Sequence, residues 1–168
     1  MQFSIGVEYA LHCLLYLIGN TKGENIGIKE LAKYQGVSES YLSKIFTKLK
    51  KSGITTSITG VKGGYELSRP AGEISFWDVV ESIEGSSYFF KCHEVRQREI
   101  ILDIDNLPES YEKFPCLIKT VMTDAEELMR ESLRSKTLEW LSLEVEKKVP
   151  KEYRDQTNAW FINEKSKK

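Results

Sequence analysis

The fold is decided by residues 28–67, which read IKELAKYQGVSESYLSKIFTKLKKSGITTSITGVKGGYEL. Apolar residues at helical spacing predict a short helix that ends at Gly36 and a second helix that begins after Ser38. Serine before a helix accepts hydrogen bonds from main-chain N–H groups that the helix leaves unpaired. Two helices joined by a short turn that contains glycine are typical of a helix-turn-helix.

A β-hairpin is predicted directly after the second helix. Residues 54–58 alternate as a strand, residues 59–64 form a glycine-rich turn, and residues 65–67 return as a second strand. A hairpin in this position is the wing of a winged helix.

The rest of the chain predicts helices on both sides of this block. Residues 3–19 read as an apolar helix, residues 76–84 as a helix capped by Ser75, and residues 116–135 as a long helix followed by one more. We therefore predict a mainly α fold with a small β-wing, a winged helix-turn-helix joined to a long dimerisation helix. Its regions are a winged-helix domain (1–85), a sensor loop (86–115), the dimerisation helix with its successor (116–148) and a tail (149–168) to which the sequence assigns no structure.

Charge is unevenly distributed along the 168 residues. The whole chain carries a net charge of −1, whereas residues 38–69 hold six basic and two acidic side chains, a local charge of +4. A basic block on a neutral protein is typical of a nucleic-acid-binding face, here for double-stranded DNA. No stretch is long and apolar enough for a membrane span, so we expect a cytoplasmic protein without a membrane partner.

The DNA contacts are expected from the exposed side of the second helix and from the wing. A dimer would place two such helices on a pseudo-palindromic operator. For the lysines, an ordinary solvated surface is the alternative. The expected DNA-binding residues are Ser38, Ser40, Tyr41, Lys44 and Lys48 on the helix, and Thr59, Lys62, Gly63 and Gly64 in the wing.

The chain has three cysteines, Cys13, Cys92 and Cys116. A small, odd number of cysteines argues against a disulfide framework and favours reduced thiols that are buried or bind a metal. Cys13 lies within the apolar first helix, where we expect a buried core thiol. Glu8 and His12 are four residues apart on the same helix and so share one of its faces.

The chain resembles the Rrf-type bacterial transcription regulators. The resemblance is carried by residues 31–53 (LAKYQGVSESYLSKIFTKLKKSG), by GVKGGYELSRP in the wing and by ISFWDVVESIEG after it. It implies a homodimeric winged-helix DNA-binding protein, in many members one that senses through an iron–sulfur cluster. Two departures stand out: only Cys92 occupies the region where many members have three cysteines, and Thr59 stands where many have arginine.

The RsrR-like branch of this family is similar in its possible cluster ligands, and it implies a specific ligand set. In that branch a 2Fe-2S cluster bridges the two subunits, held by Glu and His from the first helix of one and by two Cys of the other. Glu8, His12, Cys92 and Cys116 match this pattern residue by residue. The resemblance thus implies a redox sensor, and a ligand set in which thiolate and imidazole are both established types.

Several alternatives remain open at this stage. His93 is a rival ligand, Glu8 and His12 are also compatible with core or capping roles, and the same four residues suit zinc. A cluster-free family member regulated by oxidation of Cys92 and Cys116, or by a partner protein, is the alternative function. No nucleotide-binding glycine motif or nucleophile arrangement is present, so we expect no enzyme and no small-molecule substrate.

Overall fold

The computed structural model of the chain describes residues 2–18, 25–60, 63–86, 88–103 and 105–166, with the side chain of residue 112 excepted. It contains two compact units. Gln2–Ser86 and Leu133–Lys168 form the first, the winged-helix unit, and Ser87–Ser132 contains the second, the cysteine unit. Within the described ranges, no helix is both long and apolar enough to cross a bilayer.

The first helix, α1 (Ile5–Ile18), packs one face into the core of the winged-helix unit. Val7, Ala10, Leu14 and Leu17 are buried at three- and four-residue steps. The opposite face is exposed at Ile5, Glu8 and His12. The helix is therefore amphipathic in its environment although nearly all its residues are apolar.

The helix-turn-helix is formed by α2 (Ile28–Gln35) and α3 (Glu39–Lys51). Gly36 ends α2 in the left-handed conformation, with φ 68°, which glycine adopts without strain. The Ser38 hydroxyl accepts a hydrogen bond from the main-chain N–H of Tyr41 at 3.3 Å, which confirms its capping role. The core side of α3 buries Leu42, Ile45, Phe46 and Leu49.

Strands β1 (Thr55–Ile58) and β2 (Gly64–Leu67) pair antiparallel and form the predicted wing. The main-chain N–H of Tyr65 donates to the carbonyl oxygen of Ile26 at 2.9 Å, so the segment before α2 lies against β2. The Tyr65 ring contacts Phe46 of α3 edge-on, with centroids 4.6 Å apart. Tyr65 therefore anchors the wing to the helical core.

Helix α4 (Phe76–Glu84) follows the wing and carries a complete capping box between Ser75 and Asp78. Helix α7 (Leu138–Lys148) returns to this unit from the far end of the chain. A bridge between Ser75 and Thr137 joins the two helix starts, and Leu138 is fully buried there. The predicted fold, mainly helical with a two-stranded wing, is confirmed.

The tail to which the sequence assigns no element forms α8 (Lys151–Lys165) in the winged-helix unit. Its Phe161 is buried against Tyr34 of α2, with ring centroids 4.9 Å apart, and against Tyr16 of α1 at 5.5 Å. Trp160 packs on Tyr34 at 4.9 Å. Helix α8 therefore extends the core of the helix-turn-helix with aromatic side chains.

The cysteine unit contains a short 3₁₀ segment (Val95–Arg98), α5 (Glu109–Lys113) and most of α6 (Leu117–Arg134). Glu126 and Arg130 of α6 form a buried ion pair, and Glu126 also accepts the main-chain N–H of Phe89 at 3.1 Å. The Arg130 guanidinium lies 4.9 Å over the Tyr88 ring. These contacts fix the start of the segment that carries Cys92 onto α6.

Candidate functional site

The exposed side of α3 carries the polar residues that the sequence assigns to DNA. Ser38, Ser40, Tyr41 and Lys44 are all exposed at or near its N-terminal half. The Tyr41 ring packs edge-on against Tyr9 of α1, with centroids 5.9 Å apart. The helix therefore offers hydroxyl, phenol and ammonium groups on one accessible surface.

The lysines of α3 differ in their surroundings. The ammonium of Lys48 donates to the main-chain carbonyl oxygen of Ile83 in α4 at 2.6 Å. Lys50 donates to the Ser57 hydroxyl in β1, also at 2.6 Å. For Lys44, no hydrogen-bond or salt-bridge partner is found in the part of the chain that the structure describes, so Lys44 presents an unengaged positive charge.

In the wing, Thr59 is exposed at the end of β1. At positions 63 and 64, close packing within the protein requires glycine, which the sequence did not indicate. A Cβ on Gly63 would lie 2.5 Å from the carbonyl oxygen of Ile58, and a Cβ on Gly64 would lie 2.7 Å from that of Ile26. Both glycines therefore permit close main-chain packing within the protein. Lys62 lies outside the described residues.

Glu8 and His12 share the exposed face of α1, as their spacing predicts. Among the described residues, neither side chain has a hydrogen-bond or ion-pair partner. Cys13 points into the core, where burial raises the pKa of its thiol to about 12. The exposed positions of Glu8 and His12 do not fit the alternative core role, and both side chains are accessible to a ligand.

In the cysteine unit, the Cys92 side chain is close enough to Cys116 to help lower the pKa of the Cys116 thiol by hydrogen bonding. Cys116 immediately precedes α6, and its Sγ accepts the main-chain N–H groups of Lys119 and Ile118. These hydrogen bonds hold the pKa of Cys116 below its usual range, although partial burial and the Glu94 carboxylate oppose the shift. The arrangement favours a thiolate at Cys116.

Glu94 and Arg96 surround this cysteine pair, and the sequence reasoning missed both. The N–H of Glu94 donates to Cys92 Sγ at 3.4 Å, and a Glu94 carboxylate oxygen lies 3.5 Å from the same sulfur. The Arg96 guanidinium, whose Nε is 3.0 Å from Glu94 Oε2, holds the pKa of that carboxyl below its usual range. His93, the rival ligand, is exposed.

The donor atoms of these residues decide whether they suit a two-iron cluster. Within one copy of the chain, the described residues include no group of three or more His, Cys, Asp or Glu side chains placed to hold a metal. The structure instead holds two ligand pairs, Cys92 with Cys116 in the cysteine unit and Glu8 with His12 in the winged-helix unit. The thiols of Cys92 and Cys116 and the imidazole of His12 are donor types that iron–sulfur clusters accept.

The family assignment comes from comparison with known proteins. The model of the Rrf2 family, described as an iron-dependent transcriptional regulator, matches residues 3–144. Protein aau3 of Rhizobium meliloti (strain 1021) is 38% identical over 95 residues, 56% of this chain and 60% of that protein. The HTH-type transcriptional regulator IscR of Cronobacter sakazakii (strain ATCC BAA-894) is 31% identical over 92 residues, 55% of this chain and 57% of that protein. The alignments thus span less than two thirds of either relative.

Solved structures have the same fold. IscR of T. potens has a TM-score of 0.65 at 23% identity, covering 89% of this chain and 92% of that one. The oxidized form of CymR of Staphylococcus aureus has a TM-score of 0.60 at 26% identity, covering 84% and 96%. With a family match over most of its length and a winged helix in the expected place, the chain belongs to the Rrf2 family of transcription regulators.

Proposed function

We propose that the protein binds double-stranded DNA as a cytoplasmic homodimer, with α3 in the major groove and the wing beside it. The exposed Ser40, Tyr41 and Lys44 support this reading, since hydroxyl and ammonium groups contact bases and phosphates. Two α3 helices related by a twofold axis would read a pseudo-palindromic operator. Among the wing residues, Thr59 offers an exposed hydroxyl.

Helix α6 is the surface we propose for dimerisation. Its exposed apolar side chains include Leu117, Ile118, Val121 and Met122, and Leu117 is 79% exposed. An apolar surface of this extent on one helix favours burial against another copy. Sedimentation should give a dimer for the wild type and a monomer for Val121→Glu, whereas Lys119→Glu, at an exposed polar position two residues away on the same helix, should remain dimeric.

We further propose that the dimer senses redox state through a 2Fe-2S cluster held by Glu8 and His12 of one subunit and Cys92 and Cys116 of the other. The observation that carries this proposal is the Cys92–Cys116 pair, with a Cys116 sulfur that main-chain N–H groups favour as thiolate. When bound, the cluster supplies one-electron redox chemistry. Glu8 and His12, which are accessible and have no partner among the residues that the structure describes, support the second half of the ligand set.

A route from these ligands to the DNA face runs through Tyr9. This residue follows Glu8 on α1, and its ring contacts Tyr41 on α3. A change in the hydrogen bonding around Glu8 and Tyr9 would therefore act on α3. It would also change the spacing between the winged-helix units of the two subunits. Equal operator affinity of the oxidised, reduced and metal-free protein would contradict this coupling.

The cluster is tested by anaerobic purification, visible absorption, and iron and sulfide assays. We expect colour in the wild type, a changed spectrum in His12→Ala, and an unchanged spectrum in His93→Ala, the matched control. A changed spectrum in His93→Ala beside an unchanged one in His12→Ala would favour His93 as the ligand. A colourless protein after reconstitution would contradict the cluster, and zinc in its place would indicate a zinc site.

A thiol switch without a cluster is the second candidate function, because Cys92 and Cys116 lie in the same unit of one chain and Cys92 helps lower the pKa of Cys116. The similarity to CymR, whose structure was determined in an oxidized form, agrees with it. A colourless dimer whose DNA affinity changes on oxidation, but not in Cys92→Ser, would support this function over the cluster. A DNA affinity that is unchanged by thiol oxidation would instead favour control by a partner protein.

A further inference from the structure

One guanidinium group joins the two chain segments that carry the cysteines. Arg96 Nε lies 3.0 Å from Glu94 Oε2 on the Cys92 side. Its Nη2 donates to the main-chain carbonyl oxygens of Tyr111 at 3.2 Å and of Phe114 at 2.9 Å, just before Cys116. A single side chain therefore bridges both segments.

On the Cys92 side, a single residue, Glu94, connects Arg96 to the sulfur. Glu94, the residue that Arg96 holds, donates its main-chain N–H to Cys92 Sγ at 3.4 Å. Glu94 also has a φ of 47°, in the left-handed region that a residue with a side chain rarely adopts. The ion pair with Arg96 supports this conformation, and the conformation in turn directs the N–H group toward the sulfur.

The Cys116 end is held through the end of α5. Carbonyl groups in the last turn of a helix lack partners within the helix, so they are available to an external donor. Arg96 donates to two carbonyl oxygens there, and its guanidinium lies 5.1 Å over the ring of Tyr111. Phe114, which supplies one of these oxygens, is two residues before Cys116.

Only arginine suits this position. Its planar group donates in several fixed directions at once, whereas the ammonium of lysine is a single point at the end of a flexible chain. The segment between the two cysteines has exposed apolar residues at Val95, Ile100 and Ile101. Its own packing therefore contributes little to bringing the cysteines together.

We propose that Arg96 is the positioning residue of the cysteine pair, fixing Cys92 against Cys116 through Glu94 on one side and the end of α5 on the other. The inference deepens the proposed function, since it rests on the two cysteines acting as a pair. Arg96 itself contacts neither sulfur in this arrangement. Its effect is to raise the effective concentration of one thiol at the other.

The test measures how readily the two thiols combine in the full-length, metal-free protein. The protein is equilibrated anaerobically with reduced and oxidised glutathione, quenched in acid and analysed by mass spectrometry. Two electrons pass from the thiols to oxidised glutathione, whose S–S bond breaks as the Cys92–Cys116 bond forms. The two thiol protons end on the two molecules of reduced glutathione.

We expect Arg96→Gln to lower the equilibrium constant for this disulfide by about tenfold, because the two segments are no longer tied. Arg96→Lys should recover only part of the loss. Arg98→Gln, an exposed position on the same 3₁₀ segment, is the matched control and should stay within about twofold of the wild type. Far-ultraviolet circular dichroism and the thermal midpoint check that each variant is folded.

Two results would overturn the role of Arg96. One is an equilibrium constant in folded Arg96→Gln equal to that of the wild type, and the other is an equal fall in Arg98→Gln. Iron and sulfide assays on the same wild-type protein separate this inference from the proposed function. A wild-type protein that binds no iron or sulfide would contradict the proposed cluster but not the role of Arg96. A disulfide equilibrium constant that is unchanged in Arg96→Gln, together with a wild type that does bind the cluster, would contradict only the role of Arg96.

Discussion

The ammonium of Lys48 and the carbonyl oxygen of Ile83 are joined by a 2.6 Å hydrogen bond. This bond ties the exposed side of α3 to the last turn of α4, where main-chain carbonyls lack helical partners. Lys48 therefore has a structural partner although it lies on the DNA-facing helix. Lys44, one turn earlier, is exposed and has no such partner among the described residues.

We expect alanine substitutions at these two lysines to have different effects. Lys44→Ala should weaken operator binding and reduce the salt dependence of log K by about 1 per subunit, as for a lost phosphate contact. Lys48→Ala should lower the free energy of unfolding by about 1 kcal/mol through loss of the bond to Ile83. Fluorescence anisotropy at several salt concentrations and urea denaturation measure the two quantities. Equal salt slopes for both variants would show that Lys48 also binds phosphate.

The helix-turn-helix was predictable because its signals are local. The spacing of Leu42, Ile45, Phe46 and Leu49 and the caps at Gly36 and Ser38 lie within one stretch of sequence. That Glu8 and His12 share one face of α1 follows in the same way from their four-residue spacing, whereas the exposure of that face does not, since the apolar composition of the helix favours burial all round. These features need no knowledge of the rest of the chain.

The features that could not be predicted depend on contacts between distant residues. Trp160 and Phe161 gain their environment from Tyr34, more than a hundred residues earlier in the chain, so the tail carries no strong periodic signal of its own. Arg96 donates to main-chain carbonyl oxygens, which every residue has, so the types of the accepting residues do not reveal these bonds. The proximity of Cys92 to Cys116 likewise brings together two different segments of the chain.

Gly64→Ala should destabilise the wing. The added Cβ would lie 2.7 Å from the carbonyl oxygen of Ile26, which is main chain and cannot turn away. We expect the free energy of unfolding to fall by more than about 1 kcal/mol. Gly72→Ala is the matched control, since its Cβ would meet the flexible carboxylate of Glu139. Equal stability of the two variants in urea denaturation would show that the wing accommodates the added methyl group without loss of unfolding free energy.

Phe161→Ala tests whether α8 is part of the core of the winged-helix unit. Phe161 is 5% exposed and packs on Tyr16 and Tyr34, so its removal should cost about 3 kcal/mol in the free energy of unfolding. Ile162→Ala, at a position 48% exposed, should cost less than about 1 kcal/mol. Urea denaturation of the full-length protein provides both values. A small loss in Phe161→Ala would place α8 outside the cooperative unit.

The lowered pKa of Cys116 predicts how its alkylation depends on pH in metal-free protein. Thiolate is the reactive form, so a thiol with a lowered pKa reaches its full rate with iodoacetamide at a lower pH than free cysteine does. Cys92→Ala removes the side chain whose hydrogen bonding helps lower the pKa of Cys116, so the rate profile of Cys116 should move to higher pH. Cys13, buried and with a pKa of about 12, should remain unmodified in the folded chain, which controls for unfolding. Peptide mapping after timed alkylation from pH 6 to 10 (a range about the usual cysteine pKa) gives the three profiles. A Cys116 profile that matches free cysteine would contradict stabilisation of its thiolate by the N–H groups of Ile118 and Lys119.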